Sequence, residues 1–508
     1  MTSQAIGSKG VLWNRLFQQE TSSAVTLQNR VQQMLISAIV TGHLPPGAPV
    51  PSSRHLADQL GIARNTVVFA YQQLVSEGYL VSRERSGHFV SDDALKGWLE
   101  PSADKPQPVA SLPSRVQWVD RMRLRPSMQR NISKPSNWQK VDYPFVYGQF
   151  DQQLFPTSEW RECCLKALSV LDIRSWAPDL ITHDDPALIE EIRTQVLPRR
   201  GVWADANEIV VTVGAQHALY LLADLLMHEG TVVGLEDPGY PDARNIFVNH
   251  TRNVIPLPVD ESGLCMSDDI HRCDYIFTTP SHHCPTGVTM TMERREELLD
   301  RAMAADCILI EDDFEIDNRY ADAPMPALKS LDKDGRVIYV GSLSKSFAPG
   351  LRIGYVVAPA ELTVELRALR RLMLRHPSAY IQRAFALFIS LGYHHSLLRR
   401  QSEAYQERSA ALQAAVAAYM PGFTLTPHSG GSSCWLRGPE GLDTEELASQ
   451  ALSQGVVIEP GRVFFADEKK APRNYIRLGY TSIPVESIAP GIQRLSQIVQ
   501  SLDTRLAG

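Results

Sequence analysis

Lys345 has the most chemistry around it. It lies in GSLSKSFAPGLRIGYVV, residues 341–357, just after the β-rich run Val337–Val340 and among Ser342, Ser344 and Ser346, with Arg352 a little further on. A lysine attacks a carbonyl only where desolvation lowers the pKa of its amine. Hydroxyls and a guanidinium nearby suit a phosphate. The segment therefore reads as a Schiff-base lysine beside a phosphate cradle. In VTVGAQHALYLL, Gly214, Ala215 and Gln216 open a helix whose free backbone N–H groups also suit a phosphate. Ile308–Phe314 is a β-rich run ending in Asp312 and Asp313, which alone read as carboxylates solvated at a strand end. Tyr240, in EDPGYPDA, alone reads as a core or turn tyrosine. His282, His283 and Cys284 are adjacent, and adjacent residues rarely converge on one metal ion, so no metal site is expected.

A second chemistry is written near the N-terminus. Arg64, Asn65 and Thr66 head an amphipathic helix that buries Val67, Ala70, Tyr71 and Leu74, and a β-ribbon bearing Arg83, Arg85 and His88 follows it. Polar residues at the start of such a helix reach base edges in DNA, while the ribbon touches the phosphate backbone. The rival reading is a protein-docking module whose arginines form a solvated face.

These residues need two different scaffolds. In the head, apolar residues at helical spacing predict a helix over Leu27–Ile39, the proline-rich GHLPPGAPVPSS ends it, and Ser53 can cap a short helix over Arg54–Leu60. Gly61 turns the chain into a helix from Arg64 to Glu77, and Tyr79–Val81 and His88–Val90 read as strands. Together they predict a winged helix-turn-helix over residues 25–92. Trp13, Leu16 and Phe17 could pack as a short helix before it. Residues 93–140, rich in proline and polar residues, read as a spacer, part of which may dock where Trp118 and a basic patch interrupt it. From residue 141 to 508, strands at Ile209–Val213, Val232–Leu235, Tyr275–Thr278, Ile308–Glu311, Val337–Val340 and Ile353–Val357 alternate with helix-length segments. That alternation implies an α/β domain with a mainly parallel sheet and a smaller C-terminal α+β lobe.

Composition narrows the function classes. A chain of 508 residues, 44% hydrophobic and 21% charged, is of globular type. No apolar run is long enough for a membrane helix, and the scattered cysteines form no disulfide framework, so a reducing cytoplasm is expected. The net charge of −7 argues against coating nucleic acid non-specifically. Residues 1–92, however, hold seven Lys/Arg against five Asp/Glu, a net of +2 that leaves −9 for the rest. A mildly basic head on an acidic body permits DNA binding through one module.

The head run PSSRHLADQLGIARNTVVFAYQQLVSEGYLVSRERSGHFV resembles the DNA-binding domain of GntR-type bacterial regulators. By position the resemblance implies that Arg54, Arg64, Asn65, Thr66, Arg85 and Gly87 face a double-stranded DNA operator. The wing departs from the usual G-S-G-T, with Arg85 at the first glycine and His88 at the threonine. The wording S-L-S-K-x-x-x-P-G-L-R-I-G-Y is similar to that of the MocR family, which joins such a head to a fold-type-I aminotransferase-like body. This resemblance implies pyridoxal 5′-phosphate in an aldimine on Lys345, Asp312 on the pyridine nitrogen, and Tyr240 stacked on the ring. It also puts Ser342, Arg352, Ala215 and Gln216 at the phosphate and Arg477, in YIRLGY, at an effector's carboxylate, unless that arginine is a structural salt bridge. Two departures concern the cofactor's 3′-oxygen. Phe314 stands where the family often has a tyrosine, and Cys284 where aminotransferases often carry asparagine, with His282 or His283 as a possible substitute partner. The implied protein is a homodimeric regulator that senses a small amine or amino acid. Its rivals are an active aminotransferase with an appended head and a sensor of pyridoxal phosphate itself.

Overall fold

The computed structural model describes Trp13, Leu16, Phe17 and residues 26–84, 86–94, 116–179, 182–315, 325–427 and 430–506. The chain divides into two units, residues 1–121 and 122–508.

The first unit is three helices and a ribbon: α1 (Leu27–Val40), α2 (Ser53–Leu60), α3 (Arg64–Ser76), β1 (Leu80–Arg83) and β2 (Gly87–Val90), the strands antiparallel. α2 is capped by Ser52, whose hydroxyl accepts from the His55 N–H at 3.2 Å, and not by Ser53, its first helical residue. Ser52 has the extended backbone that a cap requires. Gly61, at φ +65°, ends α2 in the left-handed region that favours glycine. Val31, Leu35, Leu56, Val67, Leu74 and Val90 are buried in one core, and Trp13 and Phe17 join them. Arg30 lies 4.3 Å over the Phe17 ring and donates to the Phe17 carbonyl. That contact gives the N-terminal aromatics their place.

The second unit is built on an eight-stranded sheet. Its members in the chain are β3 (Ile209–Thr212), β4 (Val232–Asp237), β5 (Asn253–Asp260), β6 (Gly263–Leu264), β7 (Tyr275–Thr278), β8 (Ile308–Asp313), β9 (Val337–Ser342) and β10 (Gly354–Val357). In space they run β3-β10-β9-β8-β7-β4-β5-β6, and only β10 and the short β6 oppose the rest. The central strands are buried throughout, which is why they read as unbroken Val/Ile runs. The expected strands are all present. β5 was not among them, because Pro256 and Pro258 interrupt its pattern. With only two-residue β6 on its outer side, the missing donors cost little. A smaller lobe carries β11 (Thr424–Leu425), β12 (Ser433–Arg437), β13 (Glu459–Pro460) and β14 (Tyr475–Gly479), in the order β11-β12-β14-β13, with the long helices Tyr393–Tyr419 and Val485–Leu506 in its core.

Of the expected spacer, 93–140, residues 122–140 group with the second unit and dock on it. Gln129 donates to Asn249 at 2.8 Å, and Arg130 donates to the carbonyls of Phe465 and Ala466 at 3.0 and 2.8 Å. Its two prolines sit in turns, Pro126 opening a 3-10 turn over Pro126–Met128, and its polar side chains find acceptors on the body. Residues 95–115 of the expected spacer lie outside the described residues. Among those described, no helix is long and apolar enough to cross a membrane.

Candidate functional site

The carboxyl ends of β3, β8 and β9 open on the same side of the sheet. In open α/β sheets, ligands bind in the crevice there. β8 ends in Asp312 and Asp313, β9 leads into Lys345, and β3 leads into a helix over Gly214–Leu226 that begins with Ala215 and Gln216. A cleft brings Asp312, Lys345, Ala215 and Gln216 together, while Asp313 turns away to Arg200.

One end of the cleft is open and polar. Ala215 and Gln216 sit in the first turn of their helix, whose leading residue Val213 gives no side-chain cap. Arg352 is exposed there, donates to the Val213 carbonyl at 3.2 Å, and holds a left-handed backbone at φ +55°. Non-glycine residues adopt that conformation only where their surroundings impose it. Gly214, at φ +76°, leaves room for the Arg352 guanidinium, which a Cβ would meet at 2.9 Å. Ser342 and Ser344 also line the cleft. Ser346 does not, because its hydroxyl turns to the Leu343 carbonyl and His394.

The other end is buried. Asp312 is 3% exposed, and its Oδ1 has no hydrogen-bond partner among the described residues. Burial pushes its carboxyl up to about 7, against the pull of Lys345. Burial also lowers the Lys345 amine below its ordinary value, opposed by Glu315. That amine is 3.1 Å from the Tyr147 hydroxyl and 4.4 Å from the Tyr147 ring centre. A phenol therefore stands beside the lysine even though position 314 is phenylalanine. Tyr240 lines the cleft with its hydroxyl on Asp242 at 3.2 Å, where Gln216 also donates. Cys284 lines it too, its thiol pushed up to about 12 by burial.

Three residues anticipated around this site sit differently. His282 is not among the residues that line the cleft and pairs with Glu315 at 3.2 Å. His283 faces the opposite way, onto Thr286 at 2.7 Å and Glu236 at 3.5 Å, and burial holds it neutral, with its pKa lowered to about 3. Arg477 is 1% exposed and forms an ion pair with Glu459 at 2.7 Å, the structural salt bridge that rivalled its carboxylate-binding reading. It stays close to the cleft all the same, 3.8 Å over the Tyr147 ring and 3.9 Å from the Cys284 sulfur.

In the head, Arg54, Arg64 and Asn65 are exposed, Thr66 is half-buried, and Arg64 reaches Ser53 at 3.5 Å. Gly87 starts β2 at φ +98°. Arg83 lies over the Phe89 ring at 4.5 Å. Arg85 lies outside the described residues.

A family model for aminotransferase class I and II matches residues 150–495, and one for bacterial regulatory proteins of the gntR family matches residues 27–90. The chain is 41% identical over 475 residues to the HTH-type transcriptional regulator TauR of Rhodobacter capsulatus, covering 94% of this chain and 97% of that one. The chain belongs to the MocR-type transcriptional regulators. The probable rhizopine catabolism regulatory protein MocR of Rhizobium meliloti is 31% identical to it, over 94% of this chain and 95% of that one. A kynurenine aminotransferase of Pyrococcus horikoshii superposes with a TM-score of 0.67 at 26% identity, covering 76% of this chain and 99% of that one.

The body of this MocR-type regulator thus has the fold of the aminotransferases, which implies pyridoxal 5′-phosphate, and its cleft fits that cofactor. The unanswered Asp312 oxygen suits a protonated ring nitrogen, and the open end supplies backbone N–H groups, the Ser342 hydroxyl and a guanidinium for a phosphate, the Ser344 hydroxyl being held by the Ile353 backbone. Tyr147 and Glu459 had no signal in the sequence, since neither lies in a motif or at the end of a sheet strand in the large domain.

Proposed function

We propose that this regulator holds pyridoxal phosphate at Lys345, reads a small primary amine or amino acid there, and passes the result to its DNA-binding head. The Lys345 amine carries the reading, because it is desolvated and faces both an unanswered carboxylate and a phosphate cradle. Pyridoxal phosphate supplies an aldehyde that amines condense with and a ring that withdraws electrons. Asp312 would hold the ring nitrogen, Tyr240 would stack on the ring, and Ser342, Arg352, Ala215 and Gln216 would hold the phosphate. Lys345, its pKa lowered by burial, would hold the cofactor's aldehyde carbon and, when free, could hold a proton. Arg477 takes the effector's acid group.

For binding to matter, the effector must prefer one arrangement of the protein over another, by roughly 1–3 kcal/mol in typical cases. Leu165, Val170 and Leu171 are exposed on two consecutive short helices, which supports a homodimer. Two heads, each presenting Arg54, Arg64, Asn65, Thr66, Arg85 and Gly87, would then read two operator half-sites.

The test compares the wild type and Lys345→Ala by near-ultraviolet and visible absorbance after addition of pyridoxal phosphate. We expect a protein-bound band in the wild type that amines shift, and none in the variant. Equal spectra for the two proteins would overturn the reading. Keto acid accumulating from an amine and an oxo-acid acceptor would make the protein an enzyme instead.

A further inference from the structure

The pair that occupies Arg477 is oddly made. Glu459 on β13 and Arg477 on β14 are direct cross-strand partners, so the fold sets them opposite each other. Yet Arg477 makes one hydrogen bond to that carboxylate, from Nε to Oε2 at 2.8 Å, while a terminal nitrogen 2.7 Å from the same oxygen is buried without hydrogen-bond geometry to any partner among the described residues. A guanidinium and a free carboxylate prefer two parallel bonds, one to each oxygen. The second oxygen of Glu459 looks elsewhere. Its Oε1 accepts from the Tyr147 backbone N–H at 3.4 Å and lies 3.8 Å from the Lys134 amine. The other terminal nitrogen of Arg477 points to Cys284, which lines the cleft.

We infer that Glu459 is a displaceable occupant of the acid-binding site at Arg477, and that Lys134 receives it when an effector's acid group takes its place. The inference rests on the reading that an amine effector binds beside Lys345. A carboxylate entering from the cleft meets Arg477 on its Cys284 side and can make the two-pronged contact that Glu459 does not. Glu459 need not leave the protein interior. It keeps the Tyr147 N–H and closes a gap of about 1 Å to reach hydrogen-bonding distance from Lys134. Every buried charge then stays paired, which matters because an unpaired one is strongly destabilising. Burial lowers the Lys134 amine to about 8, and a closer carboxylate favours its charged form. An amine without an acid group leaves the bridge closed. Lys134 also lies in residues 122–140, the stretch through which the body continues toward the head, so the exchange reports acid binding at that end of the body.

The test uses full-length protein loaded with pyridoxal phosphate and three matched pairs of probes: glycine and methylamine, β-alanine and ethylamine, 4-aminobutanoate and propylamine. Members of a pair differ in the acid group alone, and affinities come from spectral titration. Glu459→Gln should tighten binding of the tightest-binding acid about tenfold while its plain amine stays unchanged. Lys134→Met should weaken the same acid about tenfold, and that loss should vanish in the double variant. The inference is overturned if Glu459→Gln leaves the acid-to-amine ratio unchanged or lowers it, or if Lys134→Met affects both members equally. If Glu459→Gln does not fold, Lys134→Met, which leaves the Arg477–Glu459 pair intact, decides alone by the same criterion. If no probe shifts the wild-type spectrum, the amine reading falls, and the gate with it.

Discussion

The head and the body of this regulator present their working residues in opposite ways. Arg54, Arg64 and Asn65 stand exposed on a small core and make few contacts of their own. Asp312, Lys345, Tyr147 and Arg477 are buried around one cleft, where Lys345 pulls on Asp312 and Arg477 lies over the Tyr147 ring. An exposed cation meets its partner through water and salt, so the head's contacts are adjustable and additive. A buried carboxylate has no such buffer, so removing one body residue is felt by its neighbours.

The largest effect that sharpens this contrast concerns Asp312. Its carboxyl is held near 7 in the folded chain against an ordinary value of 3.8, so the folded state binds the proton more tightly than the unfolded one. Stability is therefore lost as pH rises from about 4 to about 7. In cofactor-free protein, Asp312→Asn should remove that loss. Urea titrations across this range should show the variant gaining on the wild type by up to ~4 kcal/mol, and parallel curves would break the comparison. Next in size is Arg64→Ala. It should weaken operator binding by roughly 1–3 kcal/mol, while the absorbance and amine response of the body stay unchanged. Competition with nonspecific DNA at two salt concentrations measures it, and a shifted spectrum would mean the two units are not independent in this respect. The smallest is Ser52→Ala, which removes the cap of α2 and should cost the head about 1 kcal/mol in thermal unfolding without touching cofactor retention.

The two regions also differ in how openly the sequence displays them. The head's residues fall within one short stretch, so helix spacing, Gly61 and the ribbon were enough to lay it out. Only local choices were missed, such as Ser52 in place of Ser53 as the cap. In the body, Asp312, the Ser342–Lys345 segment and the Ala215–Gln216 pair come from three separate parts of the chain, yet each lies at or just past the end of a strand of the large sheet. Parallel strands bring their ends together, and so these residues meet. Tyr147, Lys134 and Glu459 come from segments with no such rule. Tyr147 follows an irregular stretch, Lys134 lies in chain that read as spacer, and Glu459 faces Arg477 only through the register of two antiparallel strands. His282 and His283 show the limit from the other side, since neighbours in sequence turned to Glu315 and Glu236 in different directions.

The unanswered oxygen of Asp312 has a consequence for the life of the molecule in a cell. A newly made chain folds around a buried carboxylate with an oxygen that accepts no hydrogen bond, and Lys345 offsets that burial only in part. Anything that binds the folded form alone raises its stability, and unfolded chains are the ones proteases remove. A cofactor that fills the cleft would therefore raise the number of folded copies, before any effector is met.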